Sequence, residues 1–203
     1  MSATPTVYIV DDDDAVRDAM GLLLETADVP HHGFNSAESF LEAWNGSQRG
    51  CLVLDVRMPG MDGARLQKAL NDAECHLPII FLTGHGDVPM AVEAMRHGAL
   101  DFLRKPVAEQ DLLELINNAF ALESTQFVAG ETARRLQGKL DSLTDREHEV
   151  FTHVAQGMSN KVIAAELDIS ERTVEVHRSQ VMKKLDAASL ADLVRIHVES
   201  ESA

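Results

Sequence analysis

Residues 6–14 read TVYIVDDDD: five β-prone side chains run straight into four consecutive aspartates. A short, unbroken run of this kind suits a strand covered on both faces. Four adjacent like charges repel one another, so their place at the end of a buried strand calls for a compensating partner. The pattern recurs downstream. CLVLDV (residues 51–56) and PIIFLT (78–83) are also uninterrupted apolar runs, and HHGF (31–34) and ALDFL (99–103) are shorter strand candidates. Helix-period segments separate them over residues 13–27, 36–44, 62–73, 87–97 and 109–122. Five β–α pairs with near-continuous apolar strands predict an α/β domain, a parallel sheet with helices on both faces.

Composition narrows the alternatives. The chain has 203 residues and a net charge of −15. Residues 1–122 hold 19 acidic and 8 basic side chains, and residues 123–203 hold 14 and 10. An acidic whole argues against indiscriminate nucleic-acid binding but leaves room for a local basic face. No apolar run reaches the ~20 residues of a membrane span, and the N-terminus lacks the basic and apolar regions of a secretion signal. Cys51 and Cys75 form no metal or CxxC spacing, which fits reduced thiols and a cytoplasmic location.

In a parallel doubly wound sheet, ligands bind beyond the carboxyl ends of the strands. Those ends carry Asp11 and Asp12, Asp55, Thr83 and Lys105. Three clustered carboxylates require a cation, and oxygen donors without His or Cys select Mg²⁺ or a similar hard ion such as Mn²⁺. A carboxylate beside such an ion can act as nucleophile towards a phosphoryl group. Lys105 can then pair with the phosphoryl oxygens and Thr83 can hydrogen-bond them. Asp13 and Asp14 suit the N-terminus of the next helix. An EF-hand loop fails because Ala15 and Val16 stand where it needs an acid or amide and a glycine. A phosphatase of the haloacid-dehalogenase type fails because Arg57 stands where its second acid belongs.

This set resembles the receiver domain of two-component response regulators over residues 1–122, a flavodoxin-like five-stranded parallel (βα)5 fold. The stretch TGHGDVPMAVEAMRHGALDFLRKP is similar to the FixJ branch of the NarL/FixJ family. The resemblance implies phosphorylation on Asp55. It implies Mg²⁺ held by Asp12, Asp55 and the main-chain carbonyl of Arg57, with Asp11 acting mostly through water. It also implies an aromatic switch at Phe102 and a cis bond between Lys105 and Pro106. His85 borders the same pocket in this reading.

Residues 123–141 carry few large apolar side chains and read as a linker with partial helical character. Residues 142–203 are all helical. LTDREHEVF opens with a capping box, Thr144 and Glu147. A short helix after Ser159 and a longer one after Ser170 follow the helix-turn-helix plan. At 100° per residue, Val174, Val181 and Leu185 share the core side of the longer helix, with His177 beside them. Arg172, Glu175, Val176, Ser179 and Lys183 lie opposite and offer the groups that read base edges in a major groove. The run SNKVIAAELDISERTVEVHRSQVMKKL resembles the LuxR-type DNA-binding domain, an all-α four-helix fold. That resemblance implies base contacts from Glu175, Val176 and Ser179, and phosphate contacts from Lys161, Thr173, Arg178, Lys183 and Lys184.

Together these readings predict a response regulator rather than an enzyme, its only chemistry being Mg²⁺-dependent phosphorylation and dephosphorylation of its own receiver. The implied partners are a sensor histidine kinase, double-stranded promoter DNA, RNA polymerase and a second copy of the chain in a phosphorylation-dependent homodimer, with no membrane. The alternative is a phosphoryl sink or interaction module whose helical domain does not act on DNA.

Overall fold

The computed structural model describes residues 4–84 and 88–201. His85 and Asp87 lie outside the described residues. Strands β1 (Thr6–Val10), β2 (His31–Phe34), β3 (Gly50–Asp55), β4 (Ile79–Thr83) and β5 (Asp101–Arg104) form one sheet in the order β2-β1-β3-β4-β5. Every pairing is parallel. Helices α1 (Asp14–Thr26), α2 (Ala37–Ala43), α3 (Gly63–Asp72), α4 (Val88–Arg96) and α5 (Glu109–Asp141) connect and follow the strands.

Side-chain alternation along the strands assigns each helix to a face. Leu52, Leu54 and Phe81 pack with Phe40 of α2, Leu66 and Leu70 of α3 and Ala94 of α4. Val7, Ile9, Val53 and Leu82 pack on the other side with Met20 and Leu24 of α1 and with Leu112 and Ile116 of α5. All six residues of β3 are buried, as an unbroken apolar strand at the centre of a two-faced sheet requires. Helix entries follow the expected caps. The Asp13 carboxylate accepts from the Ala15 N–H, Ser36 from Ser39 and Asp62 from Arg65. Gly63 opens α3 where a Cβ would stand 2.3 Å from the Asp55 carbonyl oxygen, so this approach of α3 to the end of β3 admits only glycine.

The segment expected to be a partly helical linker is helical throughout. It extends α5 into one helix of 33 residues. Its Ala, Leu, Glu, Gln and Arg content favours helix even where no apolar stripe is present. The chain divides into two compact units, residues 1–127 and 128–203. Within the first, Arg49 grips α5 with a two-pronged ion pair. Its Nε and Nη2 donate to Glu123 Oε1 and Oε2, each at 2.9 Å, and its guanidinium lies 3.7 Å from the centroid of the Phe127 ring.

In the second unit α6 (Asp145–Ala155), α7 (Asn160–Leu167), α8 (Glu171–Leu185) and α9 (Leu190–Glu201) bury Val150, Phe151, Val154, Ile163, Val174, Val181, Leu185, Leu193 and Ile196 together with Leu140 from the end of α5. The capping box at α6 is complete: the Thr144 hydroxyl accepts from the Glu147 N–H and the Glu147 carboxylate accepts from the Thr144 N–H. Ser159 occupies the N-cap of α7 without a side-chain hydrogen bond, unlike the capping role the sequence suggests. Asp168 ends α7 in the left-handed conformation, φ 53°, which aspartate tolerates, and α8 starts three residues after it.

Candidate functional site

Four strand ends meet at the carboxyl rim of the sheet. Asp11 follows β1, Asp55 closes β3, Thr83 closes β4 and Lys105 follows β5. Asp11, Asp55 and Thr83 are buried, at 0%, 7% and 5% exposure, while Asp12 is exposed. Carboxylate oxygens of Asp11, Asp12 and Asp55 lie within 4.8 Å of one another. The Lys105 ammonium sits 2.7 Å from both Asp11 Oδ2 and Asp55 Oδ1. The Asp13 N–H donates to Asp11 Oδ1 at 3.0 Å, and the Arg57 backbone N–H donates to the Asp55 carboxylate. Lys105 is fixed in turn by its own N–H, which donates to the Thr83 carbonyl at 2.8 Å. The bond between Lys105 and Pro106 is cis.

Charge in this pocket is unbalanced. Burial raises the Asp55 carboxyl above its ordinary value. Lys105 and the Arg57 N–H oppose that shift, and the Asp11 charge adds to it. Burial also works against the charge on Lys105, but hydrogen bonds to Asp11 and Asp55 outweigh it and hold the ammonium above its usual range. The one ammonium is paired with two of the three clustered carboxylates, Asp11 and Asp55. An all-oxygen donor set with an excess of two negative charges fits a divalent hard cation such as Mg²⁺ or Mn²⁺. Phe102, on β5, is 42% exposed, so its ring lies at the surface rather than in the core.

The second unit presents a different surface. Lys161 on α7 and Arg172, Glu175, Val176, Ser179 and Lys183 on α8 are all exposed. Val176, at 55%, is an apolar side chain held out to solvent. Val174, Val181 and Leu185 are buried opposite, as the helical angle predicted. The other three expected contacts are engaged within the unit. The Thr173 hydroxyl lies 2.8 Å from Ser170 Oγ at the helix cap. Arg178 Nη1 donates to Asn160 Oδ1 at 2.7 Å, tying α8 to the start of α7. Lys184 Nζ donates to Glu147 Oε2 at 2.6 Å and to the Ser142 carbonyl at 2.9 Å. Sequence reading found Glu147 as half of a capping box but not its pairing with Lys184, because 37 residues separate them and no local pattern joins them. His153, with its Nδ1 3.5 Å from Glu166, belongs to no metal-ligand cluster among the described residues.

Glu147 supplies a pH test. The Lys184 hydrogen bond, followed by the Thr144 N–H, holds its carboxyl below the ordinary 4.5. A folded-state value below the unfolded one contributes stability that is present above about pH 4.5 and is lost as pH falls through the folded value. Calorimetry of the full chain should therefore show Glu147→Gln less stable than wild type at neutral pH. The gap should close on acidification below that range. A gap that persists unchanged at low pH would remove the charge from the explanation.

Two family models account for most of the chain. Residues 7–117 match the response regulator receiver domain, and residues 141–197 match the bacterial regulatory proteins of the luxR family. The transcriptional regulatory protein FixJ of Bradyrhizobium diazoefficiens is 43% identical over 97% of this chain and 96% of its own length. The response regulator protein TmoT of Ectopseudomonas mendocina is 45% identical over 94% of this chain and 86% of its own. Among solved structures, the response regulator StyR is 45% identical, with a TM-score of 0.90 over 99% of this chain and all of that one. The chain thus belongs to the family of two-component response regulators that join a receiver domain to a LuxR-type DNA-binding domain.

Proposed function

We propose that this regulator is switched by phosphorylation of Asp55 and acts on transcription by binding promoter DNA as a dimer. The observation that carries the reading is the buried Asp55 carboxylate beside Asp11, Asp12 and Lys105, on a chain whose other unit exposes the outer face of α8. A sensor histidine kinase supplies the phosphoryl group. The P–N bond of its phosphohistidine breaks, a P–O bond to an Asp55 carboxylate oxygen forms, and the imidazole leaves with the electron pair. Asp12, Asp55 and the Arg57 carbonyl would hold Mg²⁺, with Asp11 reaching it through water, and the bound ion would supply charge neutralisation for the phosphoryl oxygens. Lys105 lies within one hydrogen bond of Asp55 and pairs with the new phosphoryl oxygens. Thr83, buried at the end of the next strand, hydrogen-bonds them and draws the end of β4 inward. Phe102 then leaves its exposed position and remodels the surface of α4 and β5.

DNA binding follows from doubling a weak site. From Ser159 to Lys184 there are five basic and four acidic residues, so one unit has little net attraction for phosphates. Two units held together gain about 10²–10⁴ in avidity when both half-sites are reachable. The reading places the chain in the cytoplasm, in contact with RNA polymerase. Among the described residues no helix is long and apolar enough to cross a membrane.

Light scattering of the full chain with Mg²⁺, with and without beryllofluoride as a phosphoryl mimic, tests the switch. The expected result is a shift from monomer to dimer that Asp55→Ala abolishes. Bound beryllofluoride with no change in mass, on or off DNA, overturns dimerisation. Failure of the activated chain to protect any DNA in footprinting returns the phosphoryl-sink reading.

A further inference from the structure

Lys183 and Lys184 are neighbours in sequence but not in role. Lys183 is exposed, whereas the Lys184 ammonium is engaged inside the unit by Glu147 and the Ser142 carbonyl. Glu147 is itself only 6% exposed, and the same Oε2 also accepts from the Thr144 N–H at 2.8 Å. A carboxylate this buried is costly unless paired, so the Lys184 contact is a constraint on both helices rather than a loose surface pair. A second tie lies beside it. Lys139, near the end of α5, donates from Nζ to the Leu185 carbonyl at 3.1 Å, which satisfies a last-turn acceptor of α8. The C-terminal end of α8 is therefore held from the turn before α6 and from the last turn of α5.

This anchoring bears on the other end of the helix. Glu175 lies nine residues before Lys184, or about 14 Å along the axis at 1.5 Å per residue. Releasing the anchor by a tilt of only about 5° displaces the base-facing side chains by about 1 Å, a misplacement sufficient to weaken a directional contact by an order of magnitude or more. We propose that Lys184 and Glu147 are positioning residues that set the angle of α8, and that Lys184 makes no contact with DNA phosphate. The inference rests on DNA binding by α8 and assigns opposite consequences to two charges near that surface.

The experiment uses the full chain activated with beryllofluoride and Mg²⁺, and a duplex enriched from a random pool by the wild-type chain. Affinity is measured across a salt series for wild type, Lys184→Met, Glu147→Ala and Lys183→Met. A lysine that neutralises one phosphate contributes about 0.9 to the slope of log K against log salt. Lys183→Met should lose about that amount. Lys184→Met should lose about tenfold or more in affinity at every salt concentration with the wild-type slope. Glu147→Ala removes a negative charge near DNA yet should also weaken binding. Far-UV dichroism and a melting curve confirm that each variant is folded at the assay temperature. Lys184→Arg, which can restore the pair, should recover most of the affinity. A slope reduced by about 0.9 in Lys184→Met, or tighter binding by Glu147→Ala, overturns the proposal. Unchanged affinity in both variants does so as well. A wild-type chain that enriches no duplex overturns the DNA-binding reading and the positioning role with it.

Discussion

Asp55→Asn should abolish Mg²⁺-dependent phosphoryl labelling of the chain, from about one group per chain to none, while leaving the receiver folded. The substitution is nearly isosteric, and the new amide keeps an oxygen for the Lys105 ammonium that the carboxylate now pairs with. What it removes is the nucleophile, because an amide oxygen has neither the charge nor the basicity to attack phosphorus. Stability should not fall and can rise without metal, since burial already works against the Asp55 charge and Asp11 adds repulsion. Intact mass after incubation with a small acyl phosphate reports the labelling, and a melting curve reports the fold. Labelling that persists in Asp55→Asn refutes the site. Loss of labelling in a chain that no longer melts cooperatively leaves Asp11→Asn to decide. That variant spares the proposed nucleophile and removes a carboxylate placed by this reading to act through water, so its labelling should fall in rate and remain detectable.

The legible part of this molecule was the part governed by local rules. β3 and β4 were readable because strands buried on both faces carry unbroken apolar runs. The rim followed, since a parallel sheet gathers its carboxyl ends whatever the sequence distance between them. Asp11 and Lys105 are 94 residues apart, and their 2.7 Å contact follows from β1 and β5 belonging to one sheet. The α8 core face was also readable, because a helix imposes its own angle. What stayed hidden depends on which distant side chain fills a given space. Arg49 and Glu123 pair across 74 residues. Adjacent helix residues point about 100° apart, so the angle that sets Lys183 opposite the core leaves Lys184 on its flank. That Glu147 is the partner of Lys184 is a tertiary fact with no local pattern. The extension of α5 was half legible: residues 131–135 of that helix are all exposed, so this stretch carries no apolar period and its composition alone spoke for helix.

Glu175→Gln should change which base pair is preferred at one position of the binding site by about 1–3 kcal/mol, roughly fivefold to 150-fold, and alter sequence preference more than the salt dependence of binding. Glu175 is exposed on the side of α8 opposite Val174 and Val181, one residue from the protruding Val176. A carboxylate there can accept from a cytosine amino group. A glutamine can both donate and accept, and pairs best with adenine. Replacing an anion with a neutral side chain also relieves repulsion from the phosphates, but that gain is common to all sequences and cancels from a ratio of affinities. Titration of the activated chain against duplexes varied one base pair at a time separates the two effects. Altered ratios confined to one position assign Glu175 to base readout. A uniform gain on every duplex makes it an electrostatic bystander. A uniform loss attributes to it a role in the fold of α8, which its exposure and the buried face opposite it argue against.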